Sequence, residues 1–192
     1  DYELYSGKKD TAISLLNGAK ESGCDAILII YPNNPDGAYI DLEELEKLLM
    51  QREIKIIVDE SFCHFLNFYH SYKELRGRVS EKHIFLKSMS KDFGIAGTRL
   101  GYFYTKDEEA LNNIKKYTTW NINNLAVMSS HILARPEFIK KYENVRIRYN
   151  KERDEFYNEL LKLDFIKVAK SGANFFLLNS DKFSIDFVFK LL

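Results

Sequence analysis

No apolar run in this chain is long enough to cross a bilayer; Ala26 to Tyr31 is among the longest. The amino terminus also lacks the basic, apolar and small-residue order of a signal peptide, so a cytoplasmic protein is expected. Charge of one sign is missing too, because 28 Lys and Arg face 28 Asp and Glu. No stretch gathers like charges into a phosphate-backbone footprint or a membrane patch, so neither nucleic acid nor a membrane is an expected partner. Cysteine is scarce: Cys24 and Cys63 fit no disulfide framework or zinc spacing and read as reduced thiols. The four histidines (His64, His70, His83 and His131) form no i, i+4 ligand pair, so no metal is expected.

What remains is an ordinary globular composition, 45% hydrophobic and 29% charged over 192 residues, enough to bury a sizeable core. Residues 10–22 carry apolar positions at helical spacing and stop at Gly23. AILIIY, Ala26 to Tyr31, is a continuous apolar run that suits a strand covered on both faces. The turn formers PNNPDG follow, and Asp41 caps a helix through Gln51 that buries Leu42, Leu45, Leu48 and Leu49. IKIIV, Ile54 to Val58, is a second buried strand closed by Asp59; Ile84 to Leu86 begins a third and Leu100 to Tyr104 a fourth. These intervals predict an α/β sheet with crossover helices.

After Lys106 the pattern turns helical, at Asp107 to Tyr117, Asn124 to Ala134 and Pro136 to Leu163. Short strands at Ile166 to Ala169 and Asn174 to Leu178 and a helical start at Ile185 to Leu192 predict the beginning of a smaller α+β domain. No repeat or Gly/Ser linker marks the boundary, which is expected inside the long helix: residues 1–142 form the large domain and 143–192 the start of the small one. Both ends read as cut, the large domain lacking its N-terminal part.

Ligands of an open parallel sheet sit beyond the carboxyl ends of its strands. Asn34, Asp59 and the loop SMSKDFGIAGTR, Ser88 to Arg99, fall there. A Schiff-base lysine needs a depressed pKa and a fixed position, and burial of Lys91 beside Arg99 would supply both. Arg99 offers a planar fork for phosphate oxygens, with the Ser88 and Ser90 hydroxyls completing the coordination. Asp59, a carboxylate at a buried strand end, needs a partner, and a protonated pyridine nitrogen would suit. The chemistry points to pyridoxal phosphate. Set against this, Arg99 also fits a surface ion pair, Asp59 a helix cap, the serines strand-end caps, and Asn34 a tight turn.

YPNNPDG (Tyr31 to Gly37), VDESF (Val58 to Phe62) and SMSKDFGIAGTR, in this order, resemble the class I/II aminotransferases, the fold-type-I pyridoxal-phosphate enzymes. TWNINNLA (Thr119 to Ala126) and SGANFFLL (Ser171 to Leu178) look most like the histidinol-phosphate aminotransferase and threonine-phosphate decarboxylase branch. The resemblance implies a three-layer, mainly parallel α/β fold of the large domain. It implies that Lys91 forms the Schiff base and acts in catalysis with Asp59, that Asp59 pairs with the ring nitrogen, that Asn34 bonds the ring hydroxyl, and that Ser88, Ser90 and Arg99 hold the phosphate. Phe62 stands where the commoner pattern has a tyrosine and is left a packing role beside the ring. The activity implied is transfer of an amino group between an amino acid and a 2-oxo acid, by a homodimer when intact. A decarboxylase or lyase on the same cofactor, and a non-catalytic fragment, are the alternatives. A plain nucleotide-binding domain has no Gly-x-Gly-x-x-Gly after a strand to support it. The family's upstream phosphate loop and downstream carboxylate-binding arginine are not found in this sequence.

Overall fold

Three short apolar runs become the parallel strands that organise the molecule. The computed structural model describes residues 12–51, 53–118, 121–180 and 182. Strands β1 (Ala26–Ile30), β2 (Lys55–Asp59) and β3 (Ile84–Ser88) lie side by side in parallel, and β4 (Gly101–Tyr104) closes the edge antiparallel to β3. The parallel pairs require crossovers, and helices supply them. Helix α1 (Ala12–Glu21) leads into β1, α2 (Leu42–Met50) joins β1 to β2, and α3 (Tyr69–Val79) joins β2 to β3.

Local chemistry sets the ends of these helices. Gly23, at φ 64°, ends α1 in a left-handed turn in which the Cys24 N–H donates to the Ala19 carbonyl at 2.9 Å. Asp41 caps α2 as expected, its carboxylate accepting from the Glu44 N–H at 3.0 Å. Helix α3 went unread in the sequence because YHSYKELRGRV offers only Tyr72, Leu75 and Val79 to the core.

All three helices pack on one face of the sheet. Leu45, Leu48 and Leu49 of α2 and Tyr72, Leu75 and Val79 of α3 share a core with Ile56, Val58 and Phe85. The opposite face carries Leu28 opposite Ile57, then Asp59 opposite Leu86 and Leu86 opposite Phe103. The expectation that β1 is covered on both faces is therefore corrected: Leu28 is 62% exposed, because no described element packs over that side.

Beyond β4, helices α4 (Glu108–Tyr117), α5 (Asn124–Leu133) and α6 (Pro136–Leu160) follow where helices were expected. The small strands β5 (Lys167–Val168) and β6 (Leu178–Asn179) are shorter than the sequence suggests, and β6 begins later. Only Leu178 and Asn179 pair with β5, while ahead of them Phe175 packs edge to face on Phe62 and Phe176 stacks on Tyr157 of α6. The helical start expected at Ile185 to Leu192 lies outside the described residues. No helix among the described residues is long and apolar enough to cross a membrane, and none of their side chains form a metal-binding group.

Candidate active site

The carboxyl ends of β2 and β3 open onto a cleft of about 490 Å3 lined by Asp59, Ser61, Ser88, Ser90, Arg99 and Tyr102, among others. Four of the expected site residues thus share one cavity: Asp59, Ser88, Ser90 and Arg99. A relay of short bonds holds the first three. Asp59 Oδ1 accepts from both the Ser61 N–H (3.0 Å) and the Ser61 hydroxyl (2.6 Å), the Ser88 N–H donates to that hydroxyl (2.9 Å), and the Ser90 N–H donates to the Ser88 hydroxyl (3.2 Å). Asp59 Oδ2 takes no hydrogen bond from the described residues.

Lys91 follows directly, its ammonium 5.7 Å from the centroid of the Phe62 ring. That contact is a weak cation–π attraction. Phe62 is itself buried and meets Phe175 edge to face at 5.2 Å. The expected burial of Lys91 is not found: the residue is exposed, since no described element covers this side of the loop.

Arg99 is exposed and sits at φ 55°, ψ 39°, the left-handed region, at the end of the short 3-10 turn Ala96–Thr98. A β-carbon in that conformation is strained, so the backbone here is held by its surroundings. Part of that hold is Asn123, whose side chain caps α5 by accepting from the Ala126 N–H and donates to the Thr98 carbonyl at 2.9 Å. Asn123 belongs to the TWNINNLA segment; Thr119 and Trp120 lie outside the described residues. Asn34 is exposed and does not line the cleft, while its neighbour Asn33 closes the turn by donating to Asp36.

Several polar residues around the site went unread in the sequence. Glu60, fully buried, turns away from Asp59 and accepts from Tyr72, Arg76 and Tyr102, tying β2 to α3 and β4. Arg146 and Arg153 of α6 are buried and donate to the carbonyls of His64, Leu66 and Phe65, in or beside the 3-10 turn Cys63–Phe65 that follows Phe62. Their seven-residue spacing puts both on one helix face, and that is the signal a sequence reading could have used.

A further group surrounds Asp92. Its Oδ2 lies 2.9 Å from Lys87 Nζ, 2.5 Å from His64 Nδ1 and 3.1 Å from the Tyr142 hydroxyl. Burial works to raise the Asp92 pKa, but the His64 hydrogen bond and the Lys87 charge prevail and leave it below the ordinary carboxylate value. Burial lowers the His64 pKa, favouring the neutral ring. Lys87 was detectable as the one charge at an inward position of IFLKS.

The sequence profile described as aminotransferase class I and II matches residues 2–182. The chain is 35% identical over 190 residues to an L-serine phosphate decarboxylase of Campylobacter jejuni, covering 92% of this chain and 47% of that protein. With the L-serine phosphate decarboxylase of Sulfurospirillum multivorans it shares 38% over 160 residues, 80% of this chain and 41% of the other. Histidinol-phosphate aminotransferase of Caldanaerobacter subterraneus is 33% identical over 155 residues, 79% of this chain and 41% of that protein. Among solved structures, a decarboxylase from Sulfurospirillum multivorans superposes with a TM-score of 0.82 at 34% identity, covering 93% of this chain and 47% of that one. Histidinol-phosphate aminotransferase from Clostridium acetobutylicum gives 0.80 at 28%, covering 97% and 56%. The chain spans about half the length of the curated relatives it matches. The motif order, the mainly parallel sheet and these matches agree: the chain belongs to the class I and II aminotransferase family.

Proposed function

We propose that this chain is the cofactor-binding part of a pyridoxal-phosphate-dependent decarboxylase whose substrate is a phosphorylated α-amino acid such as L-serine phosphate. The observation that carries the reading is the 35–38% identity to two L-serine phosphate decarboxylases. Transamination, the main reading of the sequence, becomes the second one, favoured by the likeness to histidinol-phosphate aminotransferases. The family is pyridoxal-phosphate dependent. We assign residues 1–142 to the large domain, 143–192 to the start of the small one, and a homodimer to the whole protein.

The donor set suits that cofactor. Asp59 has an oxygen with no donor among the described residues and lines the same cleft as a guanidinium and two serine hydroxyls, with a primary amine on the adjoining loop. Arg99, Ser88 and Ser90 would donate to the phosphate, Asp59 Oδ2 would accept from the pyridine N–H, and Phe62 would wall the ring, while Asn34 stands outside the cleft and is given no contact in this scheme. When bound, the cofactor supplies an electron sink for the bond that breaks.

Lys91 has two tasks in this scheme. Its amine would be the attachment point for the aldehyde, and once freed it would carry a proton to or from the substrate α-carbon. In decarboxylation the bond between the α-carbon and the carboxylate breaks, carbon dioxide leaves, and the Lys91 ammonium delivers a proton to the α-carbon. In transamination the same amine would instead remove the α-proton.

The test is to load the full-length protein with pyridoxal phosphate and supply L-serine phosphate labelled in its carboxyl carbon. Labelled carbon dioxide and ethanolamine phosphate, with no oxo acid, are expected. Formation of the labelled oxo acid without carbon dioxide, sustained beyond one equivalent of cofactor when an unlabelled 2-oxo acid is added as amino acceptor, would establish the transaminase instead, and no turnover of either kind would leave a non-catalytic relative.

A further inference from the structure

Lys91 is exposed, and among the described residues its side chain has only the distant face of Phe62 for company, yet a lysine that must meet an aldehyde needs a fixed point of departure. The residues that follow it are anchored far more firmly. The Asp92 carboxylate is fully buried, and one of its oxygens gathers three donors from three elements: Lys87 of β3, His64 of the 3-10 turn after β2, and Tyr142 of α6. Phe93 then stacks on the Tyr142 ring at 4.5 Å. Lys87, 1% exposed in its side chain, also donates to the Glu60 carbonyl, one residue beyond Asp59.

A buried ion pair is a poor way to gain stability, because removing both charges from water offsets most of their attraction. This one also leaves Asp92 Oδ1 buried with no partner. Apolar side chains would fill the same space without that cost. What they would not supply is direction: three hydrogen bonds converging on one oxygen fix residue 92 against β3, the turn and α6 at once.

We infer that Asp92, with Lys87, His64 and Tyr142, is the positioning device that sets where the Lys91 amine stands relative to Asp59. Asp92 touches neither cofactor nor substrate in this scheme and acts through its neighbour. The inference rests on the reading of Lys91 as the cofactor lysine.

The experiment uses the full-length protein, prepared cofactor-free and then mixed with pyridoxal phosphate. Asp92→Asn alone strands the Lys87 ammonium and can fail to fold, so the decisive variant is Lys87→Met with Asp92→Leu, which removes both charges together. A second variant, Tyr142→Phe, deletes one donor and keeps the stacked ring. The double variant is expected to keep a thermal midpoint close to the parent while the visible absorbance of the lysine adduct appears about tenfold more slowly and kcat falls about a hundredfold at little changed KM. Tyr142→Phe is expected to shift both rates the same way by a smaller factor. If the double variant folds and keeps both rates within twofold, or if only the thermal midpoint falls in either variant, the network is merely structural and the inference is overturned. Lys91→Ala separates the two claims: visible absorbance surviving that change refutes the assignment of Lys91 itself.

Discussion

Arg99 shows how a single residue reports on its site. Holding a side-chain-bearing residue at φ 55° costs about 1–2 kcal/mol, and among the described residues only a 3.4 Å bond to the Ala96 carbonyl occupies its guanidinium. Arg99→Gly and Arg99→Ala lose the same cation, but glycine relieves the backbone. The glycine variant is expected to be more stable than the alanine one by about 0.5–1 kcal/mol after its greater freedom in the unfolded chain is subtracted, with both losing affinity for pyridoxal phosphate. Parallel urea titrations of the cofactor-free variants check the first part and cofactor titration the second. Asp59, Ser88, Ser90 and Arg99 were legible because strand ends and short loops are local features. The Asp92 group was not, because its partners stand 50 residues apart in the pair with Tyr142, and 78 separate Tyr142 from His64. Lys87 apart, nothing local distinguishes those residues from surface polar ones.

Among the elements, α6 inverts the usual arrangement. It buries Arg146, Asn150 and Arg153 while Val145, Ile147 and Phe156 are exposed, so its apolar pattern points away from the described core. Its two buried arginines donate to carbonyls in and beside the turn that follows Phe62. Arg153→Met should retain the packing of the stem yet leave the Phe65 carbonyl, now 2.6 Å from the guanidinium, without its donor. The expected loss is about 2–3 kcal/mol, read from a urea denaturation midpoint at unchanged slope. Most strand and helix positions followed from apolar spacing; α3 and the start of β6 did not, because few core contacts define the one and Phe175 and Phe176, ahead of the other, are engaged by Phe62 and Tyr157.

For the molecule as a whole, acid stability follows from groups held away from their ordinary pKa. Burial lowers the pKa of both His64 and His83. His83 shows why: its Nδ1 accepts from the Ile56 N–H while Nε2 donates to the Leu49 carbonyl, an arrangement only the neutral ring can make. A depressed folded pKa means the unfolded chain binds the proton first, so this stability is present above the unfolded value of about 6.5 and drains as the pH falls below it. Glu143, lowered to about 2 chiefly by its hydrogen bond to Arg146, and Asp92, also lowered, add a second loss below about pH 4. Urea midpoints measured from pH 8 to 3 should fall in these two stages, and His83→Gln should flatten the first. The sheet order suits the spacing of its strands, whereas the exposed outer face was not readable from AILIIY, since an apolar run does not say which of its sides is covered.

The two lysines of β3 and its loop carry the same chemical group four residues apart. Lys87 is sealed against Asp92 and the Glu60 carbonyl, and Lys91 stands open. A carbonyl compound arriving from solvent therefore meets one amine and not the other. The chemoselectivity of this segment comes from occlusion, with no need for any difference in intrinsic nucleophilicity between the two.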